Sequence, residues 1–313
     1  MAGILKREQT LDKFFYGLTF SAAFLVLAVI VSIFISLFRE SLPAIETFGF
    51  YRFVSSTAWD PVKEIFGAAT TLYGTLVTTI LALIMAIPIA LGIAIFITEL
   101  CPKFLKPVFG TAIELLAAIP SIIYGMWGLF TFAPLMGEYV EPFLQQIFSP
   151  VPVIGQLFSG LPLGIDILTT SIVLSIMIIP FIASIVRDTF ALTPVQLKES
   201  AYGIGATRWE VIKDVVIPYS KTGIFGSVII AMGRALGETM AVAFVLGNKH
   251  AIATSLFSAS ATITVTLANE FTEADSDLYL SSLFYLALIL LTMNFLVLAI
   301  AKTFLTRKGK VCH

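Results

Sequence analysis

Residues 71–97 read TLYGTLVTTILALIMAIPIALGIAIFI, twenty-seven positions without an Asp, Glu, Lys or Arg. A helix rising about 1.5 Å per residue needs roughly 20 apolar residues to cross about 30 Å of hydrocarbon. This stretch is long enough to span a bilayer. Five further stretches have the same character, at residues 14–38, 108–132, 165–186, 222–246 and 279–301. The first of them, about 25 apolar positions, exceeds the roughly 7–15 of a secretion-signal core and reads as a retained span.

The composition agrees with these spans. Of 313 residues, 58% are hydrophobic and only 12% charged, and the mean hydropathy is +0.97. Soluble domains run at about 45–50% apolar and about 25% charged, so this chain has too few charges to cover a water-facing surface. The expected fold class is an all-α integral membrane protein with six transmembrane helices. A net charge of −1 gives no reason to expect a nucleic-acid partner. Two cysteines, Cys101 and Cys312, exclude a disulfide framework or a cysteine metal cluster. Two histidines, His250 and His313, leave almost nothing for histidine chemistry, and no metal site is expected.

Orientation follows from the 19 basic residues. Fourteen fall on one side: Lys6, Arg7 and Lys13; Lys103 and Lys106; Arg187, Lys198, Arg208, Lys213 and Lys221; and Lys302, Arg307, Lys308 and Lys310. Four, Arg39, Arg52, Lys63 and Lys249, fall on the other, and Arg234 lies inside a span. Positive residues stay on the cytoplasmic side, which places both termini in the cytoplasm. Three segments then face outward. Residues 39–70 form a small excursion, and 133–164 are proline-rich without Lys or Arg. Residues 247–278 contain an uncharged stretch at 255–267 (SLFSASATITVTL), too short and polar to span and suited to a re-entrant or amphipathic segment.

The cytoplasmic segment 187–221 has structure of its own. Thr193-Pro194 reads as an N-cap and a helix-initiating proline. Residues 198–207 read as one short helix broken at glycines, Thr207 caps a second helix at 208–216, and Pro218 stops it. Gly205 supplies a left-handed corner without a Cβ clash. The result is an elbow presenting Ala201, Tyr202 and Trp209 to the cytoplasm, or an amphipathic connector on the headgroups. Its spacing decides between them: Glu199-x-Ala201, Gly205 six residues after the Glu, then Val215-x-Ile217-Pro218. This resembles the EAA loop of type I ABC-importer permeases, with Ser200 replacing the middle Ala. The resemblance implies that Glu199, Ala201, Gly205, Trp209 and Pro218 engage an ATPase. It also implies a permease domain over 71–302, an N-terminal addition over 1–70 and a basic tail over 303–313.

Span five contains Gly233-Arg234-Ala235-Leu236-Gly237-Glu238-Thr239. Arg234 lies twelve residues in, about 18 Å deep at helical rise. An Arg at mid-membrane costs about 2.5–3.5 kcal/mol on insertion scales and marks a functional position. Glu238, four residues on, is on the same face of a continuous helix and can pair with it. Gly233 and Gly237 form a small-xxx-small face for a neighbouring helix. The pair is either a neutralised packing device or a positive site on an anion path. Residues 233–246 (GRALGETMAVAFVL), 115–134 (LLAAIPSIIYGMWGLFTFAP) and Asn269-Glu270-Phe271 closely resemble permeases of the Pst phosphate importers, in their PstC-type branch. That resemblance makes Arg234 and Glu238 the substrate-path pair. Glu114 reads as a headgroup-level residue, Asn294 as an interhelical hydrogen-bond donor, and Pro88, Pro120 and Pro180 as kinks.

The resemblance implies a permease subunit translocating inorganic phosphate across a bacterial cytoplasmic (inner) membrane, with no catalytic residues of its own. The chain has no G-x-x-x-x-G-K-[ST] loop, so ATP and Mg are expected in a separate ATPase dimer (PstB-like) and no cofactor in this chain. A second permease (PstA-like) and a periplasmic phosphate-binding protein (PstS-like) complete the expected partners, with the lipid bilayer. A permease for sulfate or molybdate and an ion-coupled secondary transporter are the alternatives. A membrane-embedded enzyme is not expected, because no span carries a nucleophile–base or metal-ligand set.

Overall fold

The computed structural model describes residues 2–152 and 154–309, with side chains over 12–152 and 154–303. Lys310, Cys312 and His313 lie outside the described residues, as do the side chains of Lys6, Arg7, Arg307 and Lys308. The described chain is helical apart from loops and two isolated bridges, Asp60 with Ile65 and Gly247 with Ser260.

The helices are α1 (Ala2–Phe48), α2 (Phe50–Ser55), α3 (Ala69–Leu100), α4 (Lys106–Ala117), α5 (Ser121–Phe148), α6 (Ile154–Leu157) and α7 (Ile167–Ala191). After them come α8 (Val195–Gly203), α9 (Arg208–Leu236), α10 (Met240–Val245), α11 (Ile263–Glu270) and α12 (Asp277–Gly309). Five of them, α1, α3, α7, α9 and α12, are each long and apolar enough to cross a membrane. The bent pair α4 and α5 supplies a sixth crossing if counted as one span. The molecule is a multi-pass membrane protein.

Prolines explain most departures from the expected spans. Pro120 sits where α4 and α5 meet at 84°, so span three is two helices rather than one kinked rod. Pro88 and Pro180, in contrast, lie within continuous helices. Four single π turns occur at Phe96–Leu100, Gly128–Phe132, Met136–Val140 and Ile212–Val216. Each is followed two residues later by a proline, namely Pro102, Pro134, Pro142 and Pro218. The residue before each proline donates its amide five residues back, as Ile217 does to Ile212. A proline ring clashes with the carbonyl four residues back and brings no amide; the widened turn moves that carbonyl aside. The helix expected to stop at Pro218 therefore runs on to Leu236, and Pro218 opens its next segment. The same device carries α5 well into the 133–164 segment.

At the centre α3 packs against α7. Ala82, Ala86, Ala90 and Ala94 recur every fourth residue on α3 and are fully buried, in one cluster with Ile178, Ile182 and Val186 of α7. Lipid tails are as apolar as these side chains, so close van der Waals approach rather than exclusion from water holds the pair. Gly74 serves the same end: a Cβ there would lie 2.1 Å from the Ala261 carbonyl oxygen. The 39–70 excursion is packed, with Phe53 and Phe66 sharing a core with Tyr279, Leu283 and Tyr285 of α12.

Candidate functional site

Span five, expected as one helix over 222–246, breaks at Gly237–Thr239 between α9 and α10. A broken helix leaves backbone groups without partners, which at membrane depth is tolerated only where protein surrounds them. Here α11 does so. Thr264 Oγ1 donates to the Glu238 carbonyl (2.8 Å), and the Ile263 amide donates to Thr75 Oγ1 on α3 (3.0 Å). The uncharged 255–267 stretch thus ends in a short helix whose first residues, Ile263–Thr266, are buried in the bundle.

The break changes the geometry of the charged pair. Arg234 is in the last turn of α9, where the helix's partial negative charge favours a cation. Its guanidinium lies 5.5 Å from the centroid of the Phe181 ring, within cation–π range. Glu238 is beyond the helix end, and its Oε1 accepts the Ala241 amide (3.3 Å). Arg234 and Glu238 therefore form no ion pair among the described residues. The expected pairing fails because it assumed four residues of unbroken helix. Both residues are half-buried, so the guanidinium keeps an open side. The Gly233–Gly237 packing face is also halved: Gly233 sits against Leu298 of α12, whereas Gly237 is exposed at the end of α9.

The elbow forms as α8, a corner and the start of α9. Gly205 has φ +91°, with nothing near its absent Cβ, so backbone conformation rather than space calls for glycine. Thr207 and Glu210 form a reciprocal capping box. Pro194, not Thr193, takes the N-cap of α8; Thr193 is buried, its Oγ1 3.4 Å from Ser220 Oγ. Glu199 and Pro218 are exposed and Ala201 half-buried, while Tyr202, Ile204 and Trp209 present large apolar surface, Ile204 being 88% exposed.

One ion pair attaches this face to the spans, and others lie among the span ends beside it. Lys198 Nζ of α8 meets Glu99 Oε1 of α3 at 2.6 Å, both largely shielded from solvent. Arg187 of α7 meets Glu114 of α4 at 2.8 Å and its neighbour Asp188 at 2.7 Å. These residues line a cavity of about 510 Å³. Glu114 is mostly exposed, as a headgroup-level residue would be. The partners Glu99 and Arg187 were not foreseen; a Glu directly at the end of a span is the only signal Glu99 offers. Among the described residues Asn294 has no interhelical hydrogen-bond partner, and its Oδ1 is buried and unsatisfied.

At the end of α11, Glu270 collects three groups from three parts of the chain. Oε2 accepts from Trp59 Nε1 (2.7 Å) and Tyr279 OH (2.6 Å), and Oε1 lies 3.0 Å from His250 Nε2. Burial pushes the Glu270 carboxyl up, but the hydrogen bonds from His250, Tyr279 and Trp59 outweigh it and hold it below its ordinary value. Among the described residues no cluster of three or more His, Cys, Asp or Glu side chains fits a metal ion.

Residues 74–310 match the family described as binding-protein-dependent transport system inner membrane component. The chain is 53% identical over 303 residues to the phosphate transport system permease protein PstC of Mesorhizobium japonicum, covering 97% of this chain and 92% of that one. It is 47% identical over 307 residues to the protein of that name from Haemophilus influenzae, covering 97% of each. Among solved structures, an inward-facing MetNI methionine ABC transporter chain aligns with TM-score 0.54 at 15% identity, over 77% of this chain and 94% of that chain. That last likeness is one of fold.

Proposed function

Since this chain belongs to the family of binding-protein-dependent transport system inner membrane components, we infer that it is the permease subunit of an ATP-driven phosphate importer. Phosphate is supported by relatives of almost equal length that bear that name. The observation that carries the reading is Arg234. It is a half-buried guanidinium at the end of a discontinuous helix, unpaired with the carboxylate four residues away. An Arg offers a planar fork of donors to a tetrahedral oxyanion, and discontinuous helices are where transporters build midplane sites. Glu238 lies close in sequence and orients the break through the Ala241 amide.

Coupling runs through the elbow. Ile204, Tyr202 and Trp209 offer an apolar surface for an ATPase groove, and Glu199 and Gly205 define its shape. When a partner ATPase dimer closes on ATP and Mg, force on α8 passes to α3 through Lys198–Glu99 and to α9 through the continuous helix beyond Thr207. In this account the chain crosses a bacterial inner membrane six times with both termini cytoplasmic. The outer segments 39–70, 133–164 and 247–278 meet a phosphate-binding protein, and a second permease closes the pathway opposite Arg234.

Proteoliposomes carrying the complex test this. Labelled phosphate should accumulate only with ATP inside and binding protein outside, and excess sulfate or molybdate should not compete. Uptake without nucleotide, or full competition by sulfate, would refute it.

A further inference from the structure

Two acidic side chains meet in the interior where α5 packs at the start of α7. Glu141 of α5 is fully buried and Asp166, the N-cap of α7, is 1% exposed. They share one threonine: the Thr169 amide donates to Asp166 Oδ1 (2.8 Å), and Thr169 Oγ1 donates to Glu141 Oε1 (3.3 Å). The Gly164 amide donates to Glu141 Oε2 (3.3 Å). That leaves Asp166 Oδ2 buried with no donor, although its carboxyl is within hydrogen-bonding reach of Glu141. Two acceptors facing each other in a buried interior are an unsatisfied arrangement unless one of them carries a hydrogen.

We propose that Glu141 and Asp166 form a proton-binding site, in which one proton shared between the two carboxyls clasps the outer end of α5 to the start of α7. The proton comes from solvent and converts an acceptor–acceptor contact into a hydrogen bond. A metal cation fits the surroundings poorly. The groups around the pair are amides and a hydroxyl directed as donors at the carboxylates, and no third acid joins them among the described residues.

Among the described residues, Glu141 is the one charged group that acts on the Asp166 carboxyl. The elements packed beside it bring Met136, Val140, Leu168 and Phe257, with Met85 from α3. Glu138 and Tyr139, on the same stretch as Glu141, are exposed, and His250 on the 247–262 segment is engaged with Glu270. Burial first, and then the contact with Glu141, pushes the Asp166 carboxyl up to about 8, with the Thr169 amide opposing. A raised carboxyl binds more protons folded than unfolded. Its contribution is therefore full at acid pH, declines as pH rises above the ordinary carboxylate value of 3.8 and is gone above about 8.

Infrared spectroscopy of the full chain in lipid nanodiscs, with aspartate carboxyls 13C-labelled, reads the proton directly. At pH 7 a buried carboxylic-acid C=O stretch should be present, shift with the label, and vanish on titration through about pH 8. It should be absent in Glu141→Gln, whose amide donates to Asp166 instead, and in Asp166→Asn. If either variant fails to insert, the other and the wild-type titration still decide. No acid band in the wild type at pH 7, or a band that survives both substitutions, would overturn the proposal. So would loss of the band at pH 7 on adding sodium or calcium alone, which would make the pair a metal-cation site.

Discussion

Glu270 is a carboxylate on which the 39–70 segment, the 247–262 segment and the start of α12 converge, and single-residue chemistry sets its worth. Truncating it strands the Trp59 and Tyr279 donors in a buried junction. Stranding buried donors costs about 1–3 kcal/mol each, so Glu270→Ala should destabilise the outer half by about 2–5 kcal/mol. The pH dependence has a definite sign. A carboxyl held below its ordinary value lends stability that is present above the unfolded value near 4.5 and lost as pH falls through the folded one. The melting difference between wild type and Glu270→Ala should therefore be full at neutral pH and shrink below 4.5; a constant difference across that range would contradict the assignment. Glu270 was visible in the sequence only as part of a resembling triplet. Its partners lie 211, 20 and 9 residues away, and no local pattern announces contacts at the first two separations. Arg234 was legible because a lone guanidinium amid apolar residues is costly wherever it sits.

The elbow was the most legible element, since capping and corner residues act within a few positions of themselves. Gly205 adopts the left-handed region as expected, and Thr207 closes its capping box. Because nothing crowds Gly205, substitutions there act through backbone strain of about 1–3 kcal/mol. Gly205→Val should uncouple ATP hydrolysis from uptake while the chain still inserts. Gly205→Asn, a residue that tolerates positive φ better, should be milder. Paired ATPase and uptake assays check this, and equal, undiminished coupling in both variants would count against the elbow's role. The breaks at Ala118–Pro120 and Gly237–Thr239 were less legible. Proline alone does not decide, since Pro88 and Pro180 stay inside helices while Pro218 follows a π turn. The break in span five depends on α11 reaching the Glu238 carbonyl from residue 264, a tertiary fact. Reading span five as unbroken is what produced the mistaken Arg234–Glu238 pair.

For the molecule as a whole, apolar runs carried the class, a helical membrane protein with five long apolar helices and a bent pair that makes a sixth crossing if counted as one span. They could not reveal how the 39–70 excursion and α11 lock onto α12 and α3. The proposed function makes the chain half of an anion pathway. In that proposal the elbow tied to α3 by Lys198–Glu99 would meet the ATPase, and the half-buried guanidinium at the end of α9 would meet the substrate. The most direct test is ATP-driven phosphate uptake by the reconstituted complex carrying Arg234→Gln. Losing charge-assisted hydrogen bonds worth about 1.5–3 kcal/mol should lower uptake about 10- to 100-fold, with assembly and ATP hydrolysis retained. Uptake by Arg234→Gln at the wild-type rate would contradict the account and leave Arg234 a packing residue held by Phe181.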